Sequence, residues 1–243
     1  METAIAFWNI LKKDIKNYYL KPPNISWGII FPLSWTLMQL IRSPNMEIIE
    51  LLPGLMAMSV LFGTTSMLAV TITFEKRSHS FDRLLLAPIS LGILVFAKLS
   101  GAVIFGLVNA FVPVVFAAFF TDLSGINWPI VIIAVILIAI TSALIGLLIA
   151  VSVKEVFEAQ TLSNFFRFPM LFLCGLFMPI EHLPAILKPI TFCLPLTYGT
   201  DALNRAIRGS SIFYPTFNIF ITLVFSVLLF CLCQRSIKKN WIL

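Results

Sequence analysis

Few residues in this 243-residue sequence have the types and spacing that chemistry requires. The two histidines, His79 and His182, stand in separate polar segments, and the sequence has no HExxH motif and no pair of carboxylates within an apolar run. A GxxxxGK[ST] motif, which binds nucleotide phosphates in P-loop proteins, is also absent from it. We therefore expect this chain to have no catalytic residue, no metal site and no bound cofactor.

The composition indicates a protein that folds in lipid. Hydrophobic residues make up 59% of the chain and charged residues 12%, and the mean hydropathy is +0.99. Because a soluble domain carries about 25% charged residues, this chain has too little polar surface to face water on all sides. The net charge of +6 is not gathered on a polar domain, so we expect no nucleic-acid partner.

The elements that position any functional residue are therefore membrane helices. A helix needs about 20 mainly apolar residues to cross the hydrocarbon core. Six runs qualify, of which the first and fifth are short. They are residues 25–41, 51–73, 93–120, 129–151, 165–180 and 213–233. We predict an all-α, polytopic membrane protein with six transmembrane helices in a single domain, residues 1–243.

The distribution of Lys and Arg predicts the orientation. Thirteen of them fall in the N-terminal segment, the second and fourth connections and the C-terminus, and only four fall on the other side. By the positive-inside rule, both termini lie in the cytoplasm of a multi-pass protein of the cell membrane.

Residues 2–20 precede the first span and are predicted to form an amphipathic helix. Its apolar face carries Trp8 and Leu11, and Lys13 lies opposite. A basic amphipathic helix with aromatic anchors is expected to lie in the plane of the lipid headgroups.

The connection between the second and third spans is predicted to contain a short helix, residues 80–88. Ser80 can cap its start, and Phe81, Leu84 and Leu85 would share one apolar face at helical spacing. An apolar face on the cytoplasmic side needs a cover. The helix either packs on its own bundle or docks on a soluble partner, and the pattern does not distinguish the two.

The connection between the fifth and sixth spans is long and apolar in part. Residues 183–198 contain three prolines and are too interrupted to cross the membrane, so we predict a re-entrant or interfacial segment. Asp201, Arg205 and Arg208 follow at helical spacing and suggest an Asp–Arg pair. This outer segment either gates the bundle or only caps it.

Two stretches resemble segments of the permeases of type-2 ABC exporters, and the six-span topology and length match as well. Residues 75–88, EKRSHSFDRLLLAP, resemble the ERxxGTLERLLxTP segment. Residues 174–184 and 194–203, CGLFMPIEHLP and LPLTYGTDAL, resemble the SGxxxPxxxLP…NPLTY…DALR segment. His79 stands in place of the family's glycine, Ala87 in place of its threonine and Leu194 in place of its polar residue.

The resemblance implies a role for each element outside the spans. Residues 2–20 would be the connecting helix and residues 180–208 the short re-entrant helices. Residues 80–88 would be the coupling helix, which docks on a separate ABC ATP-binding subunit that carries ATP and Mg²⁺, and two copies of this chain would pair. The implied ATPase contacts are Ser80, Phe81, Asp82, Arg83, Leu84, Leu85 and Pro88. The implied outer-gate residues are Pro179, Glu181, Pro184, Pro195, Tyr198, Asp201 and Arg205.

By the same resemblance, the second and fifth spans would line the substrate path. Their large apolar residues favour an amphiphilic cargo that is drug-like or linked to a lipid or polysaccharide. The candidate path residues are Met56, Phe62, Met67, Phe168, Phe172 and Phe177. The expected function is export driven by ATP, and the alternative is a channel or secondary carrier that needs no ATPase.

Overall fold

The computed structural model describes residues 2–21, 26, 30–42, 47–176 and 180–242, and these residues form helices and turns without a strand. Short 3₁₀ or π turns occur at Ile15–Tyr19, Ile180–His182 and Lys238–Ile242. The α-helices are α1 Glu2–Asp14, α2 Phe31–Arg42, α3 Ile48–Arg77, α4 Ser80–Leu85, α5 Leu91–Ala117, α6 Trp128–Ser152, α7 Val156–Leu173, α8 Lys188–Phe192, α9 Pro195–Arg208 and α10 Pro215–Ile237.

The ends of the helices follow from local sequence signals. Ser90 precedes α5, and its hydroxyl accepts a hydrogen bond from the backbone N–H of Ile93. Pro215 begins α10, where the missing N–H costs no helical hydrogen bond. Gly209 ends α9 with a φ of 74°, a left-handed conformation that glycine adopts without steric cost.

Among the described residues, four helices are long and apolar enough to cross a membrane. They are Ile48–Arg77, Leu91–Ala117, Trp128–Ser152 and Pro215–Trp241. They coincide with the predicted spans 51–73, 93–120, 129–151 and 213–233. The predicted all-helical membrane architecture is therefore confirmed for these four spans.

The first and fifth predicted spans differ from the structure and are not confirmed. In the first, 25–41, helix α2 has 12 residues and would extend about 18 Å at 1.5 Å per residue, while residue 25 and residues 27–29 lie outside the described part. The fifth, 165–180, overlaps α7, which begins earlier, ends at Leu173 and carries Glu158 and Arg167. The six-span topology and the re-entrant segment remain predictions.

Helix α3 is the centre of the bundle and packs against α5, α6, α7 and α9. Its contact with α6 is close at Gly146, where an added Cβ would lie 2.4 Å from the carbonyl oxygen of Thr65. Small residues of this kind allow two membrane helices to approach at backbone distance. Two of the other long spans, α5 and α6, thus pack on α3, and the fourth, α10, packs on α6 and α9.

The N-terminal helix α1 and its π turn lie along α5. Leu11 and Tyr19 are buried, and the Tyr19 ring stacks on Phe105 with 5.4 Å between ring centroids. Trp8, predicted on the same face, is instead exposed. The predicted helix is present, but its apolar face is divided between the bundle and the surroundings.

Candidate coupling and transport site

The short helix α4 begins with an unusual backbone turn. His79 has a φ of 53° and a ψ of 14°, the left-handed conformation that suits glycine. The exporter motif that this stretch resembles has glycine at this position, the residue that adopts this conformation most readily. Ser80 does not cap the helix as predicted. Its hydroxyl donates instead to the carbonyl oxygen of Glu75 at 3.2 Å.

The apolar residues of α4 divide between the interior and the surface. Phe81 is 2% exposed and meets the ring of Trp241 with 4.8 Å between centroids. Leu84 is half-buried, while Leu85 is 39% exposed and the following Leu86 is 85% exposed. The sequence left open whether α4 packs on its own bundle or docks on a partner. Phe81 packs on the bundle, and Leu85 and Leu86 leave an apolar surface that a partner could cover.

The polar residues predicted to surround this surface are exposed. The Asp82 carboxylate lies 3.0 Å from His79 Nδ1, and Arg83 is exposed. Helix α4 ends at Leu85, before the predicted end at 88, and Pro88 is exposed in the bend that leads to α5. Of the seven predicted ATPase contacts, Phe81 is thus an inward anchor and not a surface residue.

The segment around α4 is tied to two other parts of the chain. The Lys76 ammonium donates to the carbonyl oxygen of Ala150 at 2.9 Å, near the end of α6. It also lies 4.5 Å from the centre of the Trp241 ring, which is in contact with Phe81. Helix α4 is therefore attached to the C-terminal segment through Phe81, and the end of α3 that precedes it is attached to α6 through Lys76.

Four charged groups meet beneath α4, where α1, α3 and α5 come together. The Lys98 ammonium, 1% exposed, lies 3.1 Å from Asp14 Oδ2 and 2.6 Å from Glu75 Oε2. The Lys13 ammonium lies 2.6 Å from Glu75 Oε1. We call Lys13, Asp14, Glu75 and Lys98 the charge quartet. Its two positive and two negative charges balance.

The balance of charges matters because three of the four groups, Asp14, Glu75 and Lys98, are buried. Burial raises the pKa of the Asp14 carboxyl, and nearby Glu75 raises it further, while Lys98 and Lys13 act in the opposite direction. The sequence pattern does not indicate a partner for Lys98. No spacing rule could have done so, since its partners lie 84 and 23 positions earlier in the chain; the one signal is a lysine inside an apolar helix.

In the outer segment, buried polar groups hold α9 against its neighbours. Tyr198 donates from its hydroxyl to the carbonyl oxygen of Phe192 at 2.9 Å. The buried Asp201 carboxylate accepts hydrogen bonds from the backbone N–H groups of Ile212 and Phe213 at 2.8 and 2.9 Å, and from the Asn218 amide at 2.7 Å. Asp201 therefore fixes the loop between α9 and α10.

The predicted Asp201–Arg205 pair is wrong. The carboxylate is occupied by the loop, and exposed Arg205 donates to the carbonyl oxygen of Gly209. Pro195 is buried at the start of α9, whereas Glu181 and Pro184 are exposed and Pro179 lies outside the described residues. A cavity of about 480 Å³ opens here, lined in part by Glu181, Asp201, Asn204 and Arg208.

The predicted path residues occupy two different environments. Met56, Phe62 and Met67 of α3 are buried in the core of the single chain. Phe168 and Phe172 of α7 are exposed, and Phe177 lies outside the described residues. The structure brings one pair together: the rings of Phe62 and Phe168 meet edge to face with 6.2 Å between centroids.

Beside this pair lies a second buried cation that sequence reasoning did not single out. Arg167 of α7 is 2% exposed, and its guanidinium lies over the Phe62 ring at 4.4 Å from the centroid. One Nη group donates to the side-chain oxygen of Asn164.

Four long apolar helices, of which α5 and α6 pack on α3 and α10 packs on α6, make this chain a helical integral membrane protein. The model of the family described as ABC-2 type transporter matches residues 5–208, and the chain belongs to that family. Both sequence stretches that resemble exporter permeases lie inside the matched region.

Two relatives agree with this assignment. The inner membrane transport permease YadH of Escherichia coli (strain K12) is 23% identical over 190 residues, which cover 78% of this chain and 74% of the relative. The YadH permease of Shigella flexneri matches to the same extent. The predicted family is confirmed: the chain is a membrane transporter subunit of a cell membrane, in a family whose permeases are generally not enzymes.

Proposed function

We propose that this chain is the permease of an ATP-driven exporter, that it works as a homodimer, and that α4 docks on a separate ABC ATP-binding subunit. ATP and Mg²⁺ bind to that partner, which lies in the cytoplasm together with both termini of this chain. The cargo is an amphiphile that is drug-like or linked to a lipid or polysaccharide.

The observation that carries the proposal is the two-sided arrangement of α4. A helix of six residues is too short to be stable alone, and the buried ring of Phe81 holds it on the bundle. Leu85 and Leu86 then present apolar surface at its other side. A soluble partner that covers these two side chains would gain contact area at a place already fixed for it.

The contacts between α4 and the rest of the bundle would transmit a movement of the docked partner to the membrane helices. Phe81 meets Trp241, Lys76 binds the end of α6, and the Ser80 hydroxyl binds the carbonyl of Glu75 within the charge quartet. A displacement of α4 would therefore move α3, α5 and α6 at their shared end.

The proposed cargo class is supported by the aromatic residues of α7. Phe168 and Phe172 are exposed large apolar side chains on a helix that packs against α3. An amphiphile that passes between two copies of the chain would meet such a surface.

The test is a pull-down of the tagged full chain from its native host in mild detergent, with partners identified by mass spectrometry. Leu85→Asp places a charge in the exposed face of α4. Ile186→Asp makes the same change at an exposed residue of the outer segment and is the matched control. We expect an ABC ATPase with wild type and with the control, and at least a tenfold loss with Leu85→Asp.

Two results would contradict the proposal. Equal capture of the ATPase by Leu85→Asp and wild type would remove α4 from the contact. Recovery of this chain alone from wild type and both variants would favour a channel or secondary carrier.

A further inference from the structure

The two buried cations of this chain are compensated very differently. Lys98 has two carboxylates within 3.1 Å. Arg167 is equally buried, but within the described residues no carboxylate forms an ion pair with it. Among the residues that the structure describes, its partners are the Asn164 side chain and the face of the Phe62 ring, and its Nε has no hydrogen-bond acceptor there.

An uncompensated cation is costly in a low-dielectric interior, because it loses its hydration without gaining an opposite charge. Charged residues in membrane segments face the interior of the bundle and mark the route of a substrate or ion. Arg167 is buried in α7 against the central helix α3, and it would satisfy both descriptions if the predicted span 165–180, which remains a prediction, crosses the membrane. Its guanidinium has donors left over, and these match the oxygens of a carboxylate or phosphate.

We infer that Arg167 binds the anionic head of an amphiphile, a carboxylate or a phosphate, and that the neighbouring aromatic side chains bind its apolar body. The Phe62 ring and the Asn164 oxygen hold the guanidinium while the site is empty of ligand. Phe168, in contact with Phe62 and exposed on its other side, is the adjoining apolar surface. If the amphiphile is the cargo, which rests on the proposed export function, the exported substrates are anionic amphiphiles.

The charge requirement can be tested on the purified full chain in an uncharged maltoside detergent, with no nucleotide and no ATPase. The probe is dodecyl phosphate below its micellar concentration, and dodecyltrimethylammonium is the cationic comparison. Binding is followed as a saturable rise in the unfolding temperature. We expect wild type to bind the phosphate and not the cation, and Arg167→Gln to bind the phosphate at least tenfold more weakly.

Two further variants keep the result interpretable. Arg42→Gln removes an exposed arginine at the end of α2 and should bind as wild type does. Arg167→Met replaces the cation by an apolar side chain of similar length, and we expect its unfolding temperature without probe to equal or exceed that of wild type. Equal binding by Arg167→Gln and wild type would overturn the inference. So would a lower unfolding temperature of Arg167→Met, because it would mean that the cation is already compensated within the chain.

A lipid headgroup and a free amphiphile offer the same chemistry, and one more measurement separates them. Phosphatidylglycerol that copurifies with wild type but is lost from Arg167→Gln would identify a bilayer lipid as the ligand. Unchanged copurifying lipid with weaker dodecyl phosphate binding would identify an amphiphile other than the bulk lipid. Since neither measurement uses the ATPase, failure of the docking experiment and failure of this one are independent.

Discussion

Removal of Lys98 tests whether the charge quartet holds the N-terminal helix to the bundle. The Lys98→Met substitution keeps the length of the side chain and deletes the charge that lies 3.1 Å from Asp14 and 2.6 Å from Glu75. Two buried carboxylates then share one ammonium, that of Lys13, which is partly exposed and therefore screened by water. Loss of one partner from a buried ion pair costs about 3–5 kcal/mol, and we expect the free energy of unfolding to fall by about that amount.

The measurement is equilibrium unfolding of the purified chain in mixed detergent. Lys154→Met is the matched control, because Lys154 is exposed and such a change is usually within about 0.5 kcal/mol of neutral. The double variant Lys98→Met with Glu75→Gln removes one charge of each sign and leaves Lys13 opposite Asp14 at 3.8 Å. We expect the double variant to lose about 1–3 kcal/mol less unfolding free energy than the sum of the two single losses.

The reasoning fails if Lys98→Met costs no more than Lys154→Met. It also fails if the two single effects simply add, because additive effects would mean that Lys98 and Glu75 do not interact in the folded chain.

Two further substitutions probe the turn before α4 and the outer segment. We expect His79→Gly to be more stable than His79→Ala by about 1 kcal/mol. Both variants remove the imidazole, but only glycine adopts a φ of 53° freely. Equal unfolding free energies of the two variants would argue against the left-handed turn. Asp201→Asn loses at least one of three hydrogen bonds to a buried charge and should cost about 1.5–3 kcal/mol in unfolding free energy. Arg205→Gln changes an exposed side chain and should have little effect. Similar losses for both variants would contradict the structural role of Asp201.

The helices of this chain could be predicted where local patterns determine them. Four long apolar runs gave spans close to the observed bounds, because a membrane helix satisfies its own backbone and needs only length and hydropathy. The short helix α4 was also predictable from the spacing of Phe81, Leu84 and Leu85. The end of α4 was not predictable from the sequence. The helix ends at Leu85 and the chain bends over residues 86–89, so the helix is already finished before Pro88.

The contacts between distant segments could not be predicted. Phe81 and Trp241 are 160 positions apart, and the sequence offers nothing that pairs them. Asp201 and Arg205 stand at a spacing that favours an ion pair, yet Asp201 is used by the amide groups of the following loop. Local spacing indicates which groups can meet on one helix, and tertiary packing decides whether they do.

The distribution of these contacts indicates where the bundle can open. Near α4, helices α3, α5 and α6 are joined by buried or half-buried links: the charge quartet, and the bond from Lys76 to Ala150. The start of α7 is joined to the same region by the Arg77–Glu155 pair, 3.5 Å long with both side chains mostly exposed, a type of pair that contributes about 0–1 kcal/mol. A partner that displaces α4 is therefore expected to move these three helices together, while the start of α7 is held to them by a weaker polar link. If α4 docks as we propose, we expect the bundle to open between α3 and α7, where Phe62 covers the guanidinium of Arg167.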